Sequence, residues 1–168
     1  GEAKTTANYA GTLMPTRRAR AQGYDQVLWL DAIERRYVEE LGGMNVAFVL
    51  EGKRIVTPAL TGTILPGVTR DSLLRLAPDL GYPMSEERLE IEPLLREIDS
   101  GKVTEAFALG TGAVIAPIGR FGYGGKDHAV NQAQVGPITQ RLYQALTDIQ
   151  YGRTHDSYGW TRLLGRSS

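Results

Sequence analysis

Glu40-Leu41-Gly42-Gly43-Met44-Asn45-Val46-Ala47-Phe48-Val49-Leu50-Glu51-Gly52-Lys53-Arg54-Ile55-Val56-Thr57-Pro58 sets the architecture of this chain. Residues 45–50, five apolar side chains behind Asn45, read as a strand. Glu51-Gly52-Lys53 supplies a hairpin turn, and residues 54–58 return as the next strand. Upstream, Gly42-Gly43 separates this pair from a strand over residues 37–41. Before that come a short strand at 26–31 and a turn at 32–36. The first half of the chain is therefore expected to be an antiparallel meander.

On the N-terminal side, Asn8 can cap a helix running to about residue 22, where Gly23 ends it. Pro15 removes a donor and crowds the preceding turn, so this helix is expected to kink or to start late. After the meander, Leu65-Pro66-Gly67-Val68-Thr69-Arg70-Asp71 leads into a helix over residues 68–79. Leu73, Leu74, Leu76 and Ala77 are its buried stripe and Pro78 is its stop. Residues 88–92 alternate like a strand, and 93–100 read as a short helix. A strand at 104–109 enters Gly110-Thr111-Gly112, and the apolar run 113–118 follows. Pro137 opens a last helix to about residue 151, with Ile138, Leu142, Leu146 and Ile149 on one face. There is no repeat, linker or low-complexity segment. The fold class is mixed α/β (α+β), in one unit of 168 residues.

Composition narrows the function. Lys+Arg and Asp+Glu both number 19, so the formal charge is zero and gives no support for a nucleic-acid or anionic-membrane partner. The chain has no cysteine, hence no disulfide framework and no thiolate metal site. Its two histidines, His128 and His155, lie far apart in sequence, so no metal is expected. No apolar run reaches membrane-spanning length, and the cytoplasm is the expected location.

Four stretches carry residue types suited to chemistry. Lys4 lies five residues before Tyr9, among small side chains. A lysine packed in that way loses hydration, which favours the neutral amine that a carbonyl cofactor needs; a solvated surface lysine fits the same spacing. Glu39 and Glu40, adjacent in a strand, face opposite sides, so one can turn inward toward a cationic partner such as a protonated pyridine nitrogen. Two solvated carboxylates on an edge strand fit equally. The stretch 65–71 offers backbone N–H groups, a helix dipole and the Thr69 hydroxyl, a set suited to a phosphate, or simply an ordinary helix start. Gly110-Thr111-Gly112 could point its amides into a cleft to hold a phosphate or carboxylate, or could be a plain turn.

Taken together, Lys4…Asn8-Tyr9, Asp25-Gln26-Val27-Leu28-Trp29-Leu30-Asp31, Glu40-Leu41-Gly42-Gly43-Met44-Asn45, Leu65-Pro66-Gly67-Val68-Thr69-Arg70, Gly110-Thr111-Gly112 and Asp148-Ile149-Gln150-Tyr151-Gly152 resemble the branched-chain amino acid aminotransferases. These are fold-type IV pyridoxal phosphate enzymes. The match runs in order over nearly the whole chain. The resemblance implies the large domain of that fold, a mostly antiparallel pseudo-barrel sheet with surrounding helices. It implies pyridoxal 5′-phosphate as cofactor and transfer of the amino group of leucine, isoleucine or valine to 2-oxoglutarate. It further implies amino acids and 2-oxo acids as small-molecule partners and a homodimeric assembly. A D-amino acid aminotransferase, an aminodeoxychorismate lyase and a catalytically incompetent large-domain fragment are the alternatives.

The resemblance also implies roles. Lys4 is similar to the Schiff-base lysine that shuttles the proton at Cα, and Tyr9 to the donor to the pyridine 3-oxygen. Glu40, not Glu39, aligns with the carboxylate that pairs with the ring nitrogen. Val68 and Thr69 supply phosphate-binding groups at the helix start, and Thr111 adds another. The Thr111-Gly112 backbone is where the family places the substrate carboxylate. Thr6 and Ala7 replace the small residues, often glycines, usual before Asn-Tyr, and Gly43 stands where some relatives carry threonine. Pro15 departs from the family as well. The family's smaller N-terminal domain, which contributes an arginine to the phosphate and much of the side-chain pocket, precedes this lysine. The chain is therefore expected to be the large C-terminal domain, residues 1–168, and a poor catalyst alone.

Overall fold

Five strands build the central sheet, in the order β5-β4-β3-β6-β7. They are β3 (Asn45–Leu50), β4 (Arg54–Pro58), β5 (Met84–Glu87), β6 (Val103–Gly110) and β7 (Val114–Pro117). The structure is a computed structural model that describes residues 10–162 and 164. Two further strand pairs flank this sheet, β1 (Leu28–Leu30) with β2 (Val38–Leu41), and β8 (Arg120–Tyr123) with β9 (Lys126–Ala129). The helices are α1 (Leu13–Ala21), α2 (Val68–Asp79), α3 (Ile91–Asp99) and α4 (Pro137–Gln150). α1 carries Pro15 in its first turn, where a missing N–H costs nothing.

β3 is buried along its whole length because it lies at the centre of the sheet with helices on both sides. Its side chains alternate between two cores, as a strand period of two requires. Val46, Phe48 and Leu50 join Ala106, Ala108, Phe121 and the α3 residues Ile91, Leu94, Leu95 and Ile98. Ala47 and Val49 join Ile55, Phe107 and Leu109 with Leu73, Leu76 and Ala77 of α2 and Ile138, Leu142 and Leu146 of α4. Fully burying a side chain of the size of Phe48 or Phe107 stabilises by about 1.5–3 kcal/mol, which makes the sheet centre the anchor of the fold.

Two sequence expectations need correction. The expected meander over residues 26–58 is split between two sheets: β1 and β2 pair apart from β3 and β4, with an isolated Leu41–Met44 bridge between the pairs, and beyond it β5 pairs with β4 in parallel, with Ile55 opposite Met84 and Pro58 opposite Glu87. A parallel pair needs a crossover, and α2 is that crossover. The strand expected at 88–92 is instead Met84–Glu87, and only Glu90 keeps an isolated bridge, to Tyr37. Ile91 is drawn into α3 because Ile91, Leu94, Leu95 and Ile98 share one helical face and fill the core together. The β8–β9 hairpin, turning at Gly124-Gly125, was not expected from the sequence.

The loop between β1 and β2 is built on Asp31. Its carboxylate accepts the N–H groups of Tyr37 and Arg36, both at 2.8 Å, and of Glu34 at 2.6 Å. These donors hold its pKa down at about 2. The loop thereby fixes where β2, and Glu40 on it, enters the structure.

Candidate functional site

Asn45 begins β3, and three separate segments meet around it. β6 lies on one side, with Leu109 directly opposite Asn45 in antiparallel register. The β2–β3 turn lies beside it, and a Cβ placed on Gly110 would come within 2.9 Å of the Met44 Cγ. The entry to α2 lies against its side chain, since a Cβ on Gly67 would overlap the Asn45 Oδ1. Glu40, the start of α2 and the Thr111 turn are thus brought to one end of the sheet by contacts that end on Asn45 or its neighbour Met44.

Glu40 is half-buried on β2, and its carboxylate accepts the main-chain N–H of Leu65. Glu39 takes the other role open to the pair: it accepts the Thr63 hydroxyl at 2.5 Å, an exposed contact. The two adjacent carboxylates therefore hold the same incoming segment, 63–65, with Glu40 on the more enclosed bond. Asn45 is 5% exposed and donates its side-chain N–H to the Leu65 carbonyl at 2.9 Å. Leu65 is clamped through its N–H and its C=O at once.

Two residues beyond this clamp, α2 begins. Its N-cap is Gly67, which lacks any side-chain cap. The first helical bond runs from the Asp71 N–H to the Gly67 carbonyl at 3.0 Å, so the amides of Val68, Thr69 and Arg70 precede the helix ladder. Val68 is exposed while Thr69 is buried. Arg70, also buried, fastens this turn to the sheet. Its guanidinium donates to the Pro58 carbonyl at 3.0 Å and pairs with Glu86 on β5, and its Nε has no partner among the described residues. A helix start braced in this way presents amides and a positive dipole end on a fixed base, the donor set an anionic phosphate needs.

Thr111 and Gly112 lie in the exposed turn between β6 and β7, where Gly110 pairs with Val114. Gly112 is exposed, and a Cβ on it would meet nothing within 4 Å. Lys4 and Tyr9, the other two sequence-predicted site residues, lie outside the described residues. Among those described, Glu40, Val68, Thr69, Thr111 and Gly112 all fall at the Asn45 end of the sheet. An acid, a braced helix start and an exposed hydroxyl-bearing turn are a donor and acceptor set that fits a ring carrying both a basic nitrogen and a phosphate.

Asn45, Leu65 and Gly67 belong to this site as much as Glu40 does, and the sequence reading assigned them no role of their own. A signal was there: asparagine is a poor strand residue, yet it opens the most apolar run of the chain. A cavity of about 860 Å3 lies elsewhere, between α1 and the β8–β9 hairpin, with Leu28, Ala108 and Ile118 among its walls. None of Glu40, Val68, Thr69, Thr111 and Gly112 lines it; Arg18, Arg120 and Lys126 stand among its walls. Among the described residues, no group of His, Asp and Glu could hold a metal ion, and no helix is long and apolar enough to cross a membrane.

Known proteins are similar to this chain in sequence and in fold. The family model described as amino-transferase class IV matches residues 2–121. A probable branched-chain-amino-acid aminotransferase of Staphylococcus epidermidis is 51% identical over 160 residues, which is 95% of this chain and 44% of that protein. The branched-chain-amino-acid aminotransferase of Mycobacterium tuberculosis is 46% identical over 98% of this chain and 46% of its own length. Among solved structures, the T.th. branched-chain amino acid aminotransferase complexed with N-(5′-phosphopyridoxyl)-L-glutamate superposes with a TM-score of 0.80. It is 31% identical, over 95% of this chain and 49% of that one. The Escherichia coli enzyme gives a TM-score of 0.74 at 33% identity, over 95% and 50%. The chain spans about half the length of these relatives.

Proposed function

The chain belongs to the amino-transferase class IV family, and on that premise we propose that it is the large, cofactor-binding domain of a branched-chain amino acid aminotransferase. The reaction moves the amino group of leucine, isoleucine or valine to 2-oxoglutarate, giving branched-chain 2-oxo acids and L-glutamate. The observation that carries this reading is the Leu65 clamp. It puts the Glu40 carboxylate and the open start of α2 two residues apart along one fixed segment. The names of the relatives support the substrate class, and the phosphopyridoxyl-glutamate held by the T.th. protein supports glutamate as one of the partners.

Pyridoxal 5′-phosphate, when bound, supplies an electron-accepting ring that makes the Cα proton of an attached amino acid removable. In this reading, Glu40 would pair with the ring nitrogen and favour its protonated form. The amides of Val68 and Thr69, with the hydroxyls of Thr69 and Thr111, hold the phosphate. The backbone of Thr111-Gly112 holds the substrate carboxylate, and Tyr9 donates to the 3-oxygen of the ring. Lys4 is the covalent attachment point and, once released, the base that moves the Cα proton. A smaller N-terminal domain, a second subunit and a cytoplasmic setting complete the reading.

Borohydride reduction of the full-length protein, followed by peptide mapping, tests it. The expected result is a yellow protein whose label sits on Lys4; a label on any other residue overturns the assignment. Leucine with 2-oxoglutarate is expected to turn over faster than D-alanine as donor. Faster use of D-alanine, or release of pyruvate from aminodeoxychorismate, would move the protein to a neighbouring activity on the same scaffold.

A further inference from the structure

Resting on that reading, we propose that Asn45 is a positioning residue that sets the distance between the ring-nitrogen carboxylate and the phosphate-binding start of α2. Its placement is costly for folding alone. It is 5% exposed and stands on a sheet face whose neighbours, Ala47 and Val49, are apolar. A buried amide is tolerated there only because its hydrogen bonds are made. Its hydrogen bond goes to the one residue that separates the two halves of the site. The Asn45 Nδ2–H donates to the Leu65 carbonyl at 2.9 Å, while the Leu65 N–H donates to Glu40. The Asn45 Oδ1 faces Gly67, the N-cap of α2, so closely that only a residue without a Cβ fits.

Asn45 therefore acts at two points on one short segment. It stops the Leu65 peptide from rotating, which fixes the direction of the Glu40 carboxylate. It also seats the residue from which the helix amides fan out. Misplacing either end by about 1 Å costs heavily at a reacting centre. Asn45 touches neither ring nor phosphate in this account, and its effect passes through Leu65 and Gly67.

The test compares Asn45→Asp with Thr57→Val in the full-length protein. Thr57 is also buried, on the adjacent strand β4, and its hydroxyl donates to the Val46 carbonyl at 2.8 Å. Each substitution nearly preserves shape and removes one buried side chain-to-carbonyl bond, so both should lower the melting temperature of the apo-protein. Only Asn45→Asp should weaken binding in a titration of apo-protein with pyridoxal 5′-phosphate, by roughly 10- to 100-fold, and alter the absorption spectrum of the bound cofactor. Equal affinity and an unchanged spectrum in the two variants would overturn the inference while leaving the function intact. A wild-type protein that failed to bind the cofactor would overturn the function and the inference with it. If Asn45→Asp does not fold, Gly67→Ala probes the same contact from the other side. The φ of −69° at Gly67 accepts alanine, so its effect comes from pushing the Asn45 Oδ1 away. The same loss of affinity is expected, and an unchanged affinity would overturn the proposal.

Discussion

α2 and α4 begin in nearly the same way and serve opposite ends. Each follows a glycine, Gly67 or Gly136, and each glycine makes room for a polar side chain from the central sheet. Those side chains lie on the same sheet face, Asn45 on β3 and Glu105 on β6, with Glu105 opposite Val49 in register. At α4 the side chain is a buried carboxylate that fills the helix start. Glu105 accepts the amide of Ile138 at 3.0 Å and both the amide and the hydroxyl of Thr139 at 2.7 Å. At α2 the side chain is an amide that turns back to the Leu65 carbonyl and takes none of the helix amides. One helix start is closed by the Glu105 carboxylate; at the other, no side chain among the described residues takes the helix amides, which in the proposed reading serve a phosphate. A helix N-terminus becomes an anion site when the fold withholds a cap, not merely because its dipole is there.

The largest effect that would break this contrast is on stability, at the closed end. Glu105→Ala removes the carboxylate and leaves the amides of Ile138 and Thr139 buried and unpaired, at an expected cost of about 3–5 kcal/mol, read by urea unfolding. Cofactor affinity should not change beyond what the lost stability explains; a selective loss of affinity would mean that the two helix starts are not separate devices.

At the open end the ranking reverses. Glu40→Gln should cost on the order of 100-fold or more in kcat, the scale of removing one electrostatic contact at a reacting centre, with little loss of stability. Steady-state kinetics and thermal melts on the same sample would check it. A variant that melts much earlier yet turns over normally would make Glu40 a structural acid like Glu105.

The glycines give a smaller and sharper test. Gly136→Ala places a methyl against the Glu105 carboxylate, and this overpacking is expected to cost about 1–3 kcal/mol. The cost should nearly vanish in the Gly136→Ala/Glu105→Ala pair relative to Glu105→Ala alone, because the obstacle is gone. Additive costs in the double variant would show that the glycine serves the backbone rather than the carboxylate.

The smallest effect concerns the far end of α2. Asp79, its last residue, accepts the Tyr158 hydroxyl at 2.6 Å, and Tyr158 stacks on Trp160 with centroids 4.2 Å apart. The hydrogen bond to Asp79, with some burial and the repulsion of a second negative charge, pushes the Tyr158 pKa up to about 12 from the ordinary 10.0. The neutral phenol is the form the fold favours. Its contribution is fully present below about pH 10, and it falls away as the pH rises through 12. Tyr158→Phe should abolish that alkaline component of a stability profile and leave cofactor binding unchanged; an unaltered profile would detach this latch from α2.

Legibility followed the range of the interaction. Residues 68–79 read as a helix and are one, because Leu73, Leu76 and Ala77 repeat at helical spacing; Pro78, expected as its stop, lies inside the last turn, and the chain leaves the helix after Asp79 through Leu80 and Gly81. Residues 45–50 and 54–58 were equally plain as strands, and 137–151 as a helix. The strand expected at 88–92 misled because apolar alternation over five residues does not distinguish a strand from the lead-in to α3. At the site, Glu40, Val68, Thr69, Thr111 and Gly112 could be nominated from residue type and order along the chain. Nothing local marked Glu105 as a helix cap 33 residues from its partner.

Residue order alone was enough for the spans of the main elements and the family the chain belongs to, since backbone preference and side-chain period act over a few neighbouring residues. Three outcomes waited for the folded chain: that β5 runs parallel to β4, that Leu65 is held by Glu40 and Asn45, and that one helix start is filled while the other is not. They depend on which polar group arrives beside which amide when segments 20 or more residues apart close on one sheet. That choice is made by the joint packing of the chain, because a buried hydrogen bond gains its value only when both partners have left water together.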